Sequence, residues 1–298
     1  MIRVGTAGWD YPDWKGIVYP APRPRGFDPL SFLAGFFNAV EINATFYRTP
    51  PPSAAASWVK RTEPFPDFRF TVKLPRVFTH DRIAVMGADA GTSPDDEEGR
   101  FRAAIAPLVE AHRLGAVLIQ FPQSFHAGPE EIDRLESLLD RFSGLPVVTE
   151  FRHAGWGTDD SAALLRRRGV GWCNIDQPRL PGTLPPSQRV TGPVAYARLH
   201  GRNAAAWFAQ DAGRDRRYDY LYQVEELAPW VASVGRMAEE ATDTYVITNN
   251  HFRGKAAVNA LQILAALEAG RVDVPGTLAS AYPELEAIAR PPKGRLPF

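Results

Sequence analysis

Short apolar runs that end in a charged or amide residue recur along the chain, and segments with helical periodicity separate them. Each run has the length and composition of a buried strand. Strand and helix alternate about eight times, which predicts parallel strands joined by right-handed helical crossovers. The runs are AVEIN at 39–43, FTVK at 70–73, VLIQ at 117–120, VVTEFR at 147–152, CNID at 173–176, YARLH at 196–200 and YVITNN at 245–250.

The helical segments carry apolar residues three and four positions apart, as on one face of an amphipathic helix. An open sheet that binds a dinucleotide usually begins with a Gly-x-Gly-x-x-Gly turn, a spacing that GTAGWDY at 5–11 lacks. Polar residues also end nearly every strand, which is expected of a closed barrel. We therefore predict an α/β fold of the TIM type, a (β/α)8 barrel of parallel strands with outer helices. Its predicted helices span roughly 28–37, 53–63, 97–114, 129–142, 159–168, 219–241 and 255–270.

A single domain over residues 1–298 fits the length, since barrels of this class have ~250 residues. The acidic segment 87–99 is predicted to be a solvated loop, and the proline-rich segment 177–193 shows no helical pattern. The connection 201–218 leaves the carboxyl end of strand seven, where a lid would lie. The tail at about 288–298 is expected to be irregular because its prolines exclude a helix.

Charge and cysteine usage restrict the classes of partner. Lys plus Arg and Asp plus Glu each total 34, so net charge gives no support for a nucleic-acid partner or an anionic membrane. No 18-residue apolar stretch and no secretory pattern at the start are present, so we expect a cytoplasmic protein. Cys173 is the only cysteine, which excludes an intrachain disulfide. The sequence leaves the oligomeric state open.

Eight motifs follow one another in a fixed order: GTAGWDYPDWKGIVYP at 5–20, VEINATFYRTPP at 40–51, FTVKLPRVFTH at 70–80, LIQFPQSF at 118–125, EFRHAGW at 150–156, AYARLHGR at 195–202, YDYLYQVEEL at 218–227 and NNHFRGKAAVNA at 249–260. Together they resemble the DUF72 family, also called YecE-like, which are TIM-barrel proteins with no settled biochemical function. The resemblance implies the barrel and supplies no catalytic residues. Only in architecture is the chain similar to barrels of the xylose isomerase and endonuclease IV type.

Side chains two apart on a strand share a face, so Glu150 with Arg152, and Arg198 with His200, should project together into the barrel. We predict four catalytic residues. Glu150, or alternatively Glu41, would be the general base and His200 an acid or base, while Lys73, Arg152 and Arg198 would stabilise developing negative charge. Lys73 would form a Schiff base if its pKa were depressed. The favoured interpretation is that Lys73 is the counter-ion of Glu41 or Glu150.

The predicted mouth of the barrel is positively biased, which favours a small anionic ligand or a nucleotide. In the alternative interpretation, Glu150–Arg152 and Asp176–Arg198 neutralise each other inside the barrel. The loop 249–255 runs into a helix and could cradle a phosphate through Gly254 and Lys255. The predicted ligand-binding residues are Trp9, Glu41, Asn43, Tyr47, Arg48, Gln120, Arg152, Trp156, Asp176, Arg202, Asn249, Asn250, His251 and Lys255.

Metal binding is the weaker expectation. Four histidines, His80, His153, His200 and His251, follow predicted strands, but no His-x-His or His-x-x-x-His spacing occurs. The arginines nearby would also repel a cation. We therefore expect neither a metal nor another cofactor.

Three hypotheses about function stay open at this point. The first is an enzyme, a hydrolase or lyase acting on an anionic metabolite or nucleotide by metal-free acid–base chemistry. The second is a non-catalytic module that binds an anion or nucleic acid, and the third a metal-dependent phosphodiesterase or nuclease like endonuclease IV. If the first hypothesis holds, the variants Glu150→Gln and Arg198→Ala should fold normally and lose anion binding.

Overall fold

A computed structural model describes residues 1–80, 93–209 and 213–291. Eight parallel strands pair in chain order, and β8 closes on β1 to complete a barrel. This arrangement confirms the predicted (β/α)8 fold. The strands are β1 Ile2–Ala7, β2 Ala39–Ile42, β3 Arg69–Lys73, β4 Leu114–Gln120, β5 Val147–Glu150, β6 Gly171–Asp176, β7 Val194–Leu199 and β8 Asp243–Thr248.

Within the described ranges, seven α-helices correspond to the predicted ones, and four further short helices lie between or after them. None of the helices in the described ranges is long and apolar enough to cross a membrane. The helices are α1 Pro29–Ala34, α2 Ala44–Tyr47, α3 Pro52–Arg61, α4 Pro94–Glu110, α5 Pro129–Arg141, α6 Asp159–Arg167, α7 Ala204–Trp207, α8 Arg214–Arg217, α9 Val224–Glu240, α10 Lys255–Leu267 and α11 Gly276–Ala281.

Two helix starts differ from the prediction because capping decides them. Helix α4 begins inside the segment predicted to be a loop at 87–99. The Ser93 hydroxyl caps it, and acidic residues of its first turn favour the positive end of the helix dipole. Residues 87–92 of that predicted loop lie outside the described residues. Helix α9 begins at Val224 rather than near 219, since Gln223 and Glu226 form a capping box.

The connections and the tail agree in part with expectation. Segment 177–193 contains no helix, whereas 201–218 contains the short helices α7 and α8. At the carboxyl end of the chain, the backbone of Val272 exchanges hydrogen bonds with 288–290, and residues 292–298 lie outside the described part. The tail prediction therefore concerns mostly residues that are not described.

Strand alternation places one set of side chains against the helices and the other inside the barrel. The outer set includes Val40, Val246 and Leu199, as expected for residues packed against helices. Ile175, by contrast, belongs to the inner set. Ile175 pairs in register with Arg198, and its neighbour Cys173 contacts the inward-facing Glu150, so this face of β6 points inward.

The loop after β1 is held on the barrel by two buried aromatic side chains. Trp14 and Tyr19 are both fully buried. The Trp14 indole N–H donates to the carbonyl of His251 at 2.7 Å. Thr277 donates its hydroxyl to the Val18 carbonyl at 2.8 Å. These contacts connect the first and last βα loops and fix the rim of the barrel.

Candidate functional site

A buried arginine lies between two buried carboxylates at the carboxyl end of the barrel. Arg198 on β7 binds Glu41 on β2 through two hydrogen bonds, Nη2 to Oε1 at 2.6 Å and Nε to Oε2 at 3.0 Å. Its Nη1 donates to Glu150 Oε2 on β5 at 3.0 Å. Tyr196, two residues before Arg198, donates its hydroxyl to Glu41 at 2.9 Å. The guanidinium is therefore committed to two carboxylates that carry no exposed surface.

The second oxygen of Glu150 faces Arg152 and His200. Glu150 Oε1 lies 2.6 Å from Arg152 Nε and 3.2 Å from His200 Nε2. Both are close polar contacts whose angles fall outside hydrogen-bond geometry. On the other side of the imidazole ring, His200 Nδ1 lies 3.0 Å from Asn249 Nδ2. The predicted grouping of Glu150 with Arg152 and of Arg198 with His200 is present.

These surroundings fix the protonation of Glu150 and His200. Burial opposes the charged form of Glu150, but Arg152, Arg198 and His200 outweigh it and hold its pKa well below the usual range. Burial, and then the charge of Arg152, lowers the pKa of His200 to about 3. At neutral pH Glu150 is therefore ionised and His200 neutral. An amide N–H that points at Nδ1 is consistent with a proton on Nε2.

Lys73, the last residue of β3, is buried in the same region without a carboxylate partner. Its Nζ lies 3.6 Å from the centre of the Phe46 ring. Within the described part of the chain it forms no ion pair, because Arg198 engages Glu41 and Glu150. Glu150 and Glu41 therefore act on Lys73 through their more distant negative charges and not as direct ion-pair partners. Burial, and then repulsion from Arg198, lowers the pKa of Lys73 to about 7.

Lys73 opens into a small pocket of about 70 Å³. Three amides, Asn43, Gln120 and Asn249, line it, and Asn43 Oδ1 is buried without a hydrogen-bond partner among the described residues. Amide groups of this kind recognise hydroxyl and carboxylate oxygens. The complete lining is Tyr11, Asn43, Phe46, Tyr47, Lys73, Gln120, Arg198, Tyr218, Asn249 and His251.

Aromatic rings form the rim of this pocket. Tyr11 stacks on His251, with ring centres 4.4 Å apart and planes at 8°. Tyr218 packs against the same histidine at 5.4 Å, and Tyr47 is largely exposed. Trp207 on α7 is buried and lies 5.5 Å from the Arg152 guanidinium carbon. Trp207 therefore packs against Arg152 from the connection after β7.

Three predicted ligand-binding residues point away from the pocket. Asp176 binds Arg202 and the Trp230 indole N–H on α9, at 2.7 and 2.9 Å. Arg202 also binds Glu226 at 2.9 Å. Asn250 donates to Asn259 on α10 at 2.7 Å. Asp176 occupies an outward-facing position of β6. Asn250 follows β8 and continues its outward-facing set of positions. Both side chains therefore face helices. The expected Asp176–Arg198 pair does not form.

Four other residues that were predicted to bind the ligand also lie outside the pocket or have other partners. Trp156 is almost fully buried, stacks on Phe151 at 4.3 Å, and offers no surface to a ligand. Trp9 packs edge-on against Trp58 at 5.7 Å and is not part of the pocket lining. Arg48 is exposed just after α2 and is not part of that lining either. Lys255 is paired with Asp219.

The predicted phosphate cradle at 249–255 is filled by the protein itself. Gly254 adopts a φ of 80°, and a Cβ there would lie 2.8 Å from the Val18 side chain. Its N–H donates to the His251 carbonyl, and the Lys255 N–H to that of Phe252. The helix start therefore packs under the first loop, and these two backbone N–H groups already have protein partners.

The outward position of Asp176 gives a testable expectation. Asp176→Asn should lower the free energy of unfolding by about 1.5–3 kcal/mol, since charged hydrogen bonds to Arg202 and Trp230 are weakened in a buried setting. Urea unfolding at pH 7 measures this change. Asp273→Asn, which alters a half-exposed ion pair with Arg290, is the control and should change stability by less than about 1 kcal/mol. Equal effects of the two substitutions would contradict the buried role.

No three His, Cys, Asp or Glu side chains of the described residues come together as ligands of a metal ion. The histidines that follow strands have separate neighbours. His80 packs on Phe46 at 4.8 Å and His153 stacks on His126 at 4.0 Å. His251 stacks on Tyr11. Among these histidines, and within the described ranges, His200 alone lies against a carboxylate of the barrel centre, that of Glu150.

Several residues of the site were not predicted. Tyr196 was detectable, because it is two positions before Arg198 and must share its face. Thr71 is two positions before Lys73, and its hydroxyl lies 2.8 Å from that of Tyr196. Gln177 was not detectable, since its contacts to Arg152 come from a turn beyond β6. Phe46 and Tyr218 likewise reach the pocket from the short helix α2 and from the turn after α8.

Comparison with known proteins places this geometry in a family. A family model described as protein of unknown function DUF72 matches residues 3–283. UPF0759 protein YunF of Bacillus subtilis (strain 168) is 30% identical over 277 residues, which cover 90% of this chain and 95% of that protein.

Two solved structures extend the likeness to the fold. A DUF72 family protein from Thermotoga maritima MSB8 is 36% identical, with a TM-score of 0.76 over 90% of this chain and 99% of that one. Another, from Enterococcus faecalis V583, is 29% identical, with a TM-score of 0.78 over 92% and 98%.

Proposed function

The chain belongs to the DUF72 family of proteins of unknown function, and from this premise we propose that its barrel pocket binds a small anionic metabolite and subjects it to acid–base chemistry at Lys73. The observation that carries the proposal is the buried amine itself. Lys73 lines the pocket and makes no ion pair with any described residue.

Charge balance supports an anionic ligand. The carboxylates of Glu41 and Glu150 are offset by the guanidinium groups of Arg198 and Arg152, so these four charges cancel. A protonated Lys73 then leaves one positive charge in a buried pocket. Because an unpaired buried charge is unfavourable, a monoanion that enters the pocket gains most of its binding energy at this ammonium.

The size of the pocket restricts the ligand to a few non-hydrogen atoms. Its volume of about 70 Å³ is far below the roughly 300–1,000 Å³ of pockets for drug-sized ligands. A nucleotide is much larger than this space. Together with the balanced net charge of the chain, the volume favours a small carboxylate or a similar monoanion over a nucleotide or nucleic acid.

Lys73 is also better suited to proton transfer than the residues first considered. A general acid or base works best when its pKa lies near the working pH, and that of Lys73 is about 7. The pKa of Glu150 is held well below its usual range, which makes Glu150 a weak base. His200, with a pKa of about 3, stays neutral. We therefore assign a positioning role to Glu150, Arg198 and His200. These residues fix the arrangement of charges around Lys73.

Ligand-induced thermal stabilisation tests this function. Acetate, glycolate, pyruvate and inorganic phosphate would be titrated at pH 6 to 9, and at least one should raise the melting temperature saturably. The increase should decline as the pH rises through about 7, because Lys73 loses its positive charge there. Bound anion raises the Lys73 pKa in turn, so the decline should extend somewhat above pH 7.

Two lysine variants make the result specific. Lys73→Met should abolish the shift, whereas Lys60→Met, which changes an exposed residue at the end of α3, should retain it. Equal shifts in both variants would refute the proposal. Mass spectrometry after long incubation separates the two classes of activity, since saturable binding without a product indicates a binding module rather than an enzyme.

A further inference from the structure

We infer that Lys73 acts as a nucleophile and that the ligand is a short 2-oxo acid, whose carbonyl carbon forms an iminium bond with Lys73 Nζ. This inference rests on the proposed function and specifies its substrate class. It requires an amine that faces the pocket, a stable position for that amine, and compensation for the charge of the iminium.

The Lys73 amine is presented by a rigid part of the barrel. Lys73 ends β3, where its backbone pairs with Leu118 of β4. Its carbonyl accepts the hydroxyl hydrogen of Thr45 at 2.6 Å. The aliphatic stem is buried, and the amine lies against the face of Phe46. A site built on a strand holds its reacting atom more accurately than one built on a loop.

The environment of Nζ keeps a large fraction of the amine uncharged. An ammonium is attracted by the Phe46 ring, but burial and Arg198 oppose it more strongly. With a pKa of about 7, about one half of Lys73 is free amine at pH 7. An ordinary lysine has a free-amine fraction of roughly 1 in 2,500 at that pH. Only the uncharged amine attacks a carbonyl.

The charge of the pocket selects an oxo acid over a neutral aldehyde or ketone. Nitrogen attack breaks the C=O π bond and gives a carbinolamine, which loses its hydroxyl as water while the nitrogen lone pair forms the C=N bond. Starting from the ammonium, the products are an iminium cation and one water, so no proton or electron is gained or lost. The iminium keeps the positive charge of the pocket, and the carboxylate of the same molecule neutralises it.

The amides of the pocket supply the remaining contacts. Asn43, Gln120 and Asn249 line the same pocket as Lys73, and amide groups carry donors and acceptors that suit a carboxylate and a hydroxyl group. The volume of about 70 Å³ allows an acid of two to four carbons only in a compact arrangement. Glyoxylate and pyruvate are therefore the probes that fit this chemistry best.

Reductive trapping tests the inference on the intact protein. Sodium cyanoborohydride reduces an iminium to a stable secondary amine, so glyoxylate or pyruvate would be incubated with the protein at pH 7 and the labelled lysine found by peptide mass spectrometry. The chain has five lysines, and Lys15 and Lys60 are exposed internal controls. We expect Lys73 to be labelled at least about 100-fold faster than either, given its larger free-amine fraction.

The outcomes separate this inference from the proposed function. Lys73→Arg keeps a cation and should keep part of the anion-induced stabilisation, but it cannot be trapped. Saturable stabilisation by pyruvate with no adduct at Lys73, or with labelling no faster than at Lys15 and Lys60, would overturn the iminium and leave anion binding intact. If none of the anions stabilises the protein, the proposed function fails. An adduct at Lys73 that competing acetate suppresses supports both.

Discussion

Replacing Arg198 by methionine should lower the free energy of unfolding by about 3–5 kcal/mol, the range found when one partner of a buried ion pair is removed. Arg198 forms three hydrogen bonds to Glu41 and Glu150, and neither carboxylate has exposed surface. Methionine fills much of the space but leaves both acids without the guanidinium. This outcome differs from the expectation, drawn from sequence alone, that Arg198→Ala folds normally.

Urea unfolding of Arg198→Met and the wild type at pH 7 measures the effect. Arg290→Met is the matched control, because Arg290 pairs with Asp273 and Glu268 at the surface and all three are about half exposed. The control should change stability by less than about 1 kcal/mol. Adding Glu41→Gln to Arg198→Met should recover part of the loss, since it removes one uncompensated charge. A loss as small as that of the control would show that Arg198 is not the counter-ion of the barrel centre.

The barrel was predictable because its signals are local. The apolar runs with intervening helical periodicity predict a parallel sheet, and the polar residue at nearly every strand end indicates closure. The grouping of Glu150 with Arg152 and of Arg198 with His200 follows from the two-residue repeat of a strand alone. Neither inference needs knowledge of how distant segments meet.

For strands that are buried on both faces, the sequence does not show which side chains point into the barrel and which point toward the helices. In β6 every residue is buried, so no alternation distinguishes the inward Cys173 and Ile175 from the outward Asn174 and Asp176. Asp176 was placed in the pocket because it ends a strand, although its phase directs it to α9. Asn250 fails for the same reason, since it follows the inward Asn249 by one position.

The sequence also did not show which charged residues pair with one another. The excess of arginines over acids indicated free cations, yet Arg202 and Lys255 have acidic partners from distant segments, Glu226 and Asp219. The two-point contact of Arg198 with Glu41 is decided by geometry across the barrel. This contact, together with those of Arg198 and Arg152 to Glu150, leaves Lys73 without an ion pair to either acid. The residue that carries the proposed function was therefore the one whose state the sequence described least well.

Gly5→Ala should destabilise the protein by more than about 3 kcal/mol, at or beyond the upper end of the range for overpacked sites. A Cβ at Gly5 would lie 1.8 Å from the carbonyl oxygen of Ala39 and 2.6 Å from its carbonyl carbon. Both are backbone atoms of β2, which pairs with β1 and β3 and cannot move aside without breaking the closed sheet.

Gly235→Ala in α9 is the control, since a Cβ there meets nothing within 4 Å. It should stabilise its helix by about 0.5–1 kcal/mol. Thermal unfolding followed by circular dichroism compares the two variants, and equal melting temperatures for Gly5→Ala and wild type would mean that β1 and β2 lie further apart than described.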